Sequence, residues 1–258
     1  MPTATLLDGT EVYYAVHRDG PLKVLLVHGA GGSHLAWPSA LRRLPGATTY
    51  ALDLPGHGRS SPPGRERIEE YVSDLLGFMD AVGIERGVVV GHSMGGAIAQ
   101  MVGLTAPERV EGLVLVGTGA RLRVAPAILE GIQTGFEATV RLISEWAWGP
   151  DADPALVELG RRLMEEAGPE VLLGDFLACD RFDVRERVGE IAAPVLILTG
   201  SEDRMTPLRF GEWLADRLPR GTFRRIEGAG HMVMLERPQE VQGAVLAFLA
   251  DLRPERTG

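Results

Sequence analysis

The chain has 258 residues, a formal net charge of −9 and one cysteine. It is long enough to bury a core without disulfides or metals, and the lone Cys179 excludes an internal disulfide and a cysteine-rich zinc site. The acidic balance argues against nucleic acid or an anionic membrane as the main partner, and 45% hydrophobic with 24% charged residues is ordinary globular composition.

Met1-Pro2-Thr3-Ala4-Thr5 has neither the basic nor the apolar region of a signal peptide. No apolar run approaches a membrane span, so no membrane association and a cytoplasmic location are expected. Residues 3–7 and 11–16 alternate weakly around Asp8-Gly9, a hairpin signal. Leu22 to Val27 is a nearly continuous apolar run, suited to a strand buried on both faces. It ends in His28-Gly29-Ala30-Gly31-Gly32-Ser33, an irregular glycine-rich loop. Residues 35–44 read as a short helix and 48–52 as a strand, followed by the loop Asp53-Leu54-Pro55-Gly56-His57-Gly58-Arg59-Ser60.

Ile68, Tyr71, Val72, Leu75, Leu76, Met79 and Val82 recur at helical spacing. Next comes Gly87-Val88-Val89-Val90-Gly91-His92-Ser93-Met94-Gly95-Gly96, a β-branched run that ends in Gly-x-Ser-x-Gly and passes into a small-residue helix. That is a strand, a sharp turn and a helix with Ser93 at the apex, the arrangement called a nucleophile elbow. Residues 110–116, 194–199 and 222–226 are further strands. Thr206 and Pro207 read as the N-cap and first residue of a helix reaching about Leu218. Val241, Val245, Phe248, Leu249 and Leu252 share one face of a closing helix. Strands alternating with helical crossovers predict an α/β fold with a mainly parallel sheet of about eight strands. Residues 121–189 break the rhythm: they hold only helical patterns, one starting at Asp153-Pro154 and another at Gly168-Pro169. So long a stretch is no loop and reads as a helical insertion over one end of the sheet, giving a core of 1–120 and 190–258.

Catalysts in open parallel sheets gather at the carboxyl ends of the strands. Ser93 follows one strand, Asp203 another, and His231 a third. A serine hydroxyl needs a base to take its proton, and the base needs an orienting carboxylate. His231 is the expected base and Asp203 the expected acid. Glu202 is a neighbour to exclude, and His28, His34, His57 and His92 are competing histidines. Oxyanion donors are expected at the backbone N–H of Met94, at a helix N-terminus, and of Ala30.

Together, His28-Gly29, Asp53-x-Pro55-Gly56-His57-Gly58-x-Ser60, Gly91-His92-Ser93-Met94-Gly95-Gly96, Gly200-x-x-Asp203 and Gly230-His231 resemble the α/β-hydrolase-fold serine hydrolases, over nearly the whole chain. The resemblance implies that the insertion is a cap over the active site. It also separates this chain from the epoxide hydrolases and haloalkane dehalogenases of that fold, which carry aspartate at the elbow. A carboxylesterase acting on small to medium apolar or aromatic esters is the broadest expectation. His34, Trp37, Phe136, Trp146, Trp148 and Met232 are candidate pocket walls, with Leu172, Leu173 and Phe176. The alternatives are a C–C hydrolase of ring-cleavage dienoates, with Arg181 as the cation; an amino-terminal peptidase, with Glu165, Glu166 or Asp175 as acids; and a hydrolase-derived ligand receptor. The expected partner is a small-molecule ester, no motif calls for a metal or cofactor, and the chain is compatible with a monomer or a homodimer.

Overall fold

The computed structural model describes residues 2–252; position 1 and positions 253–258 of the expected core lie outside them. The strands β1 (Thr3–Thr5), β2 (Glu11–Arg18), β3 (Leu22–Val27), β4 (Ala47–Leu52), β5 (Gly87–His92), β6 (Val110–Val116), β7 (Val195–Gly200) and β8 (Gly221–Ile226) form one sheet in the order β1-β2-β4-β3-β5-β6-β7-β8. The β1–β2 and β2–β4 pairings are antiparallel, and every pairing from β4 to β8 is parallel. Strands β4, β5 and β7 are buried at all six positions, as a sheet covered on both faces requires.

The helices are α1 (Ser39–Arg42), α2 (Ile68–Ala81), α3 (Met94–Thr105), α4 (Pro126–Thr134), α5 (Phe136–Ala147), α6 (Pro154–Arg181), α7 (Leu208–Ala215), α8 (Val233–Glu236) and α9 (Pro238–Asp251). Alternation along the strands splits the core into two layers. Leu25, Val27 and Val89 pack with Phe78 of α2 and Ile98 of α3 on one face. Val24, Leu26, Val88 and Val90 pack with Leu41 of α1 and Val241 and Val245 of α9 on the other.

Between β6 and β7, helices α4, α5 and α6 form the inserted cap, with its own cluster of Ile128, Ile132, Val140, Ile143, Met164, Leu172 and Phe176. The Asp153 carboxylate accepts from the Ala155 N–H at 2.8 Å and caps α6. The expected break appears at Gly168, whose φ of 80° interrupts the helix ahead of Pro169. Two local expectations change. Residues 35–44 do not make one helix: Trp37 and Pro38 are extended, separating a 3-10 turn (His34–Ala36) from α1, because the residue before proline avoids helical backbone. Helix α7 starts at Leu208 rather than at Pro207, and the Thr206 side chain has another use.

Candidate active site

The parallel strands bring the ends of β3, β5, β7 and β8 to one edge of the sheet. Ser93 is the single residue between β5 and α3. Its φ of 52° makes it the one non-glycine residue at positive φ among the described residues, a conformation that costs about 1–3 kcal/mol. Neighbouring strands hold it there. The Ser93 N–H donates to the Val116 carbonyl at 2.9 Å, and the Thr118 hydroxyl donates to the Ser93 carbonyl at 2.8 Å. Side chains are excluded on both sides: a Cβ on Gly91 would strike the Gly95 carbonyl, and one on Gly95 the Val27 carbonyl.

After β8, His231 Nδ1–H donates to Asp203 Oδ2 at 2.9 Å, with Thr206 Oγ1 at 3.1 Å from the same nitrogen. The carboxylate can only accept, so the proton sits on Nδ1 and Nε2 carries the free lone pair. Asp203 is otherwise saturated, accepting from the Met205 and Thr206 N–H groups at 2.9 and 2.8 Å and from the Thr206 hydroxyl at 2.7 Å. Burial pushes its carboxyl pKa up, but the His231 ring and these donors outweigh burial and hold it below the ordinary value. Glu202 is exposed, and its partner is the Ser201 hydroxyl at 3.1 Å. Ser93 and His231 line the same cavity. Among the described residues no hydrogen bond joins them, and such contacts tighten when substrate binds.

The other histidines serve the scaffold. His92 Nε2–H donates to the His231 carbonyl at 3.0 Å, and burial, helped by the neighbouring His231, pushes its pKa down to about 3. It therefore stays neutral while holding the His231 backbone. His28 Nε2 accepts from the Leu54 N–H at 3.0 Å, and burial with the adjacent His57 charge pushes it down to about 4. His34 donates to Asp53 through both its backbone N–H (2.6 Å) and Nδ1 (2.8 Å).

The Ala30 and Met94 N–H groups, on the loop after β3 and at the start of α3, have no acceptor among the described residues. Ala30 and Ser93, the residue before Met94, line a cavity of about 80 Å³ together with Trp148, Phe176, His231 and Met232. Six expected pocket residues lie elsewhere, among them Leu172 and Leu173, which pack in the cap's own cluster and line neither cavity that includes Ser93. Trp37 is fully buried beneath the sheet with Leu41 and Leu44. His34 is engaged by Asp53, Phe136 packs against the cap's own cluster, and Trp146 is 44% exposed on α5.

The family model described as "Alpha/beta hydrolase family" matches residues 24–244. The chain belongs to that family. A solved structure described as a thermophilic esterase is 37% identical, with a TM-score of 0.85 over 95% of this chain and 96% of its own. The pimeloyl-[acyl-carrier protein] methyl ester esterase of Pectobacterium carotovorum is 28% identical over 92% of this chain and 98% of that protein. The enol-lactonase from Burkholderia xenovorans LB400 is 25% identical, with a TM-score of 0.87 over 96% of this chain and all of its own.

Within this alpha/beta hydrolase, sequence reasoning missed how the cap is fastened to the site. Asp175 of α6 is fully buried. Its Oδ2 accepts from the Gly31 N–H and from His57 Nε2, both at 2.8 Å, and its Oδ1 accepts from the Tyr71 hydroxyl at 2.6 Å. Gly31 follows Ala30, so one cap carboxylate fixes the loop that presents the Ala30 N–H. His57 Nδ1 also faces an acceptor, the Pro55 carbonyl at 3.0 Å. Both ring nitrogens therefore carry protons, and the ring is cationic. Burial opposes that charge, but the Asp175 carboxylate prevails and raises the His57 pKa. A signal existed: Leu172, Phe176 and Cys179 form the inward face of α6, and Asp175 stands in that stripe.

Asp175→Asn should destabilise the fold by about 3–5 kcal/mol, the usual cost of breaking a buried pair, measured as a denaturant midpoint. Because the folded pKa of His57 is raised, the stabilisation is complete below its ordinary value of 6.5 and is lost as pH rises through the folded value. The gap between the two proteins should therefore narrow at alkaline pH.

The cap also braces the histidine. The His231 and Met232 N–H groups donate to the Ala147 carbonyl at 2.9 and 3.1 Å, and the Gly149 and Gly230 N–H groups share the Glu236 carboxylate.

Proposed function

We propose that this alpha/beta hydrolase is a serine carboxylesterase acting through an acyl-enzyme. Ser93 Oγ attacks the ester carbonyl carbon as His231 Nε2 takes the hydroxyl proton. The Ala30 and Met94 N–H groups receive the developing oxyanion, acting as fixed dipoles that need no reorganisation. Collapse breaks the bond to the alcohol oxygen, which takes the proton from His231. Water then repeats the sequence and frees the acid. Asp203 holds the ring in the required tautomer and offsets its transient charge. The observation that carries this reading is the buried His231–Asp203 bond, with Ser93 on the cavity that His231 lines.

The apolar walls Trp148, Phe176, Met205 and Met232 favour apolar or aromatic acyl groups. The cavity volume of about 80 Å³, well below the roughly 300–1,000 Å³ of drug-sized sites, favours short ones. In a p-nitrophenyl ester series, acetate and butyrate should show higher kcat/KM than decanoate. Preference for decanoate would sink the size argument, and tight binding without turnover of any ester would favour a receptor.

The residues weighed for the other enzymatic readings are engaged elsewhere or face solvent. Arg181 donates to the Glu66 carbonyl at 3.0 Å and does not line the cavities that include Ser93. Glu165 pairs with Arg161, Glu166 is exposed, and Asp175 is consumed by His57 and Gly31.

A further inference from the structure

We propose that a cavity of about 440 Å³ beside the catalytic edge is an anion subsite, taking a carboxylate or phosphate carried by the substrate whose ester lies at Ser93. Four arginines, Arg121, Arg123, Arg185 and Arg209, line it, and no acidic residue does. Asp183 engages two of them from outside the lining, at 3.6 Å from Arg121 and 2.7 Å from Arg185. Among the described residues Arg123 and Arg209 have no carboxylate partner, and Arg209 lies over the Phe210 ring, 5.2 Å from its centroid. Concentrating four guanidinium groups around one cavity, in a chain of net charge −9, creates a local field opposite to that of the whole protein. Guanidinium groups are weakly hydrated and present paired donors that match carboxylate and phosphate oxygens.

Position ties this cavity to the reaction. A smaller cavity is lined by Ser93 and His231 together with Arg123, Met205 and Phe210, and the last three also line the arginine cavity. Ser93 and His231 line the apolar cavity under the cap as well. An ester at Ser93 thus has an apolar space on one side and a cationic one on the other. The arginine cavity and the smaller one share three lining residues, one of them the flexible Met205. The lining comes from the segment after β6, from Arg185 beyond α6, from Met205 in the loop after β7 and from α7, whose Phe210 and Trp213 supply an apolar wall; ligands of such sheets gather beyond the carboxyl ends of the strands.

The inference rests on the serine esterase reading for its geometry, but its binding arm does not need turnover. Calorimetry on Ser93→Ala protein at low salt should show hexanoate or hexyl phosphate binding at least tenfold more tightly than 1-hexanol. The tighter anion identifies which of the two is taken. Arg123→Gln with Arg209→Gln should reduce that preference by about tenfold for each guanidinium removed, and raised salt should erode it. In the active protein, 2-carboxyethyl butyrate against propyl butyrate, and propyl hemisuccinate against propyl butyrate, show which half of the substrate carries the charge through a lower KM. Equal binding of anion and alcohol, or an anion preference undiminished in the double variant, overturns the subsite. Failure of every ester to turn over, with anion binding intact, overturns the esterase reading alone.

Discussion

Ser93→Ala is expected to lower kcat on short-chain esters by roughly six orders of magnitude, the scale seen when a triad nucleophile is removed. The loss is that large because the residues act as a unit. Without Oγ, His231 has no proton to take, and the Ala30 and Met94 N–H groups have no covalent intermediate to stabilise. The remaining acceleration would come from binding and from those two donors acting on attack by water, about three to four orders over the uncatalysed reaction. Among the described residues the nearest alternatives are occupied: Cys179 borders the cavity, but burial pushes its thiol well up and keeps it protonated, and the Thr206 hydroxyl donates to Asp203. The fold should be unharmed, since the Ser93 backbone bonds to Val116 and Thr118 persist. The strained φ at position 93 is equally available to alanine.

Asp203→Asn should cost about four orders in kcat. Asparagine keeps the shape, but its amide can offer an N–H where Oδ2 accepts from Nδ1. His231 would then present a lone pair at Nδ1 and a proton at Nε2, the wrong tautomer for a base. Thr206 deepens the effect. Its hydroxyl donates to Oδ2 and its oxygen lies 3.1 Å from Nδ1, so both partners are set for the carboxylate. Glu202 is no substitute, being exposed and paired with Ser201. Near-normal turnover in Asp203→Asn would point to another acid.

Much of this arrangement was legible in the sequence because strands in a parallel sheet announce themselves. Residues 22–27, 87–90 and 194–199 are apolar runs closed by glycine-bearing turns, and the turns after these runs open at the same sheet edge. Ser93 and Asp203 follow two of these runs, and His231 follows the more polar strand at 222–226, so the three could be placed together before any side-chain geometry was known. The pocket walls were less legible, because aromatic identity does not reveal which face of a helix a residue occupies. Trp146 and Trp148 are two positions apart: one is 44% exposed and the other, just past the end of α5, is 6% exposed and lines the cavity. Trp37, a candidate pocket wall, instead has extended backbone before Pro38 and packs beneath the sheet with Leu41 and Leu44.

Charged residues misled for a related reason. Asp175 reads as one more acid on a polar helix until its neighbours Gly31, His57 and Tyr71, drawn from three distant segments, are seen around it. The stripe of Leu172, Phe176 and Cys179 marks Asp175 as inward-facing, but nothing local encodes which groups it meets. The same holds for the four arginines: positions 121, 123 and 185 come from the two ends of the insertion, which a bridge between Arg121 and Asp183 brings together, and 209 comes from α7.

The central claim is that Ser93 is the nucleophile, and the most direct measurement is the site of covalent capture. Incubation with an aryl or alkyl fluorophosphonate, followed by peptide mass mapping, should place a single adduct on Ser93, with labelling abolished in Ser93→Ala and much slowed in His231→Ala. An adduct on any other serine, or labelling that survives in Ser93→Ala, would contradict the account.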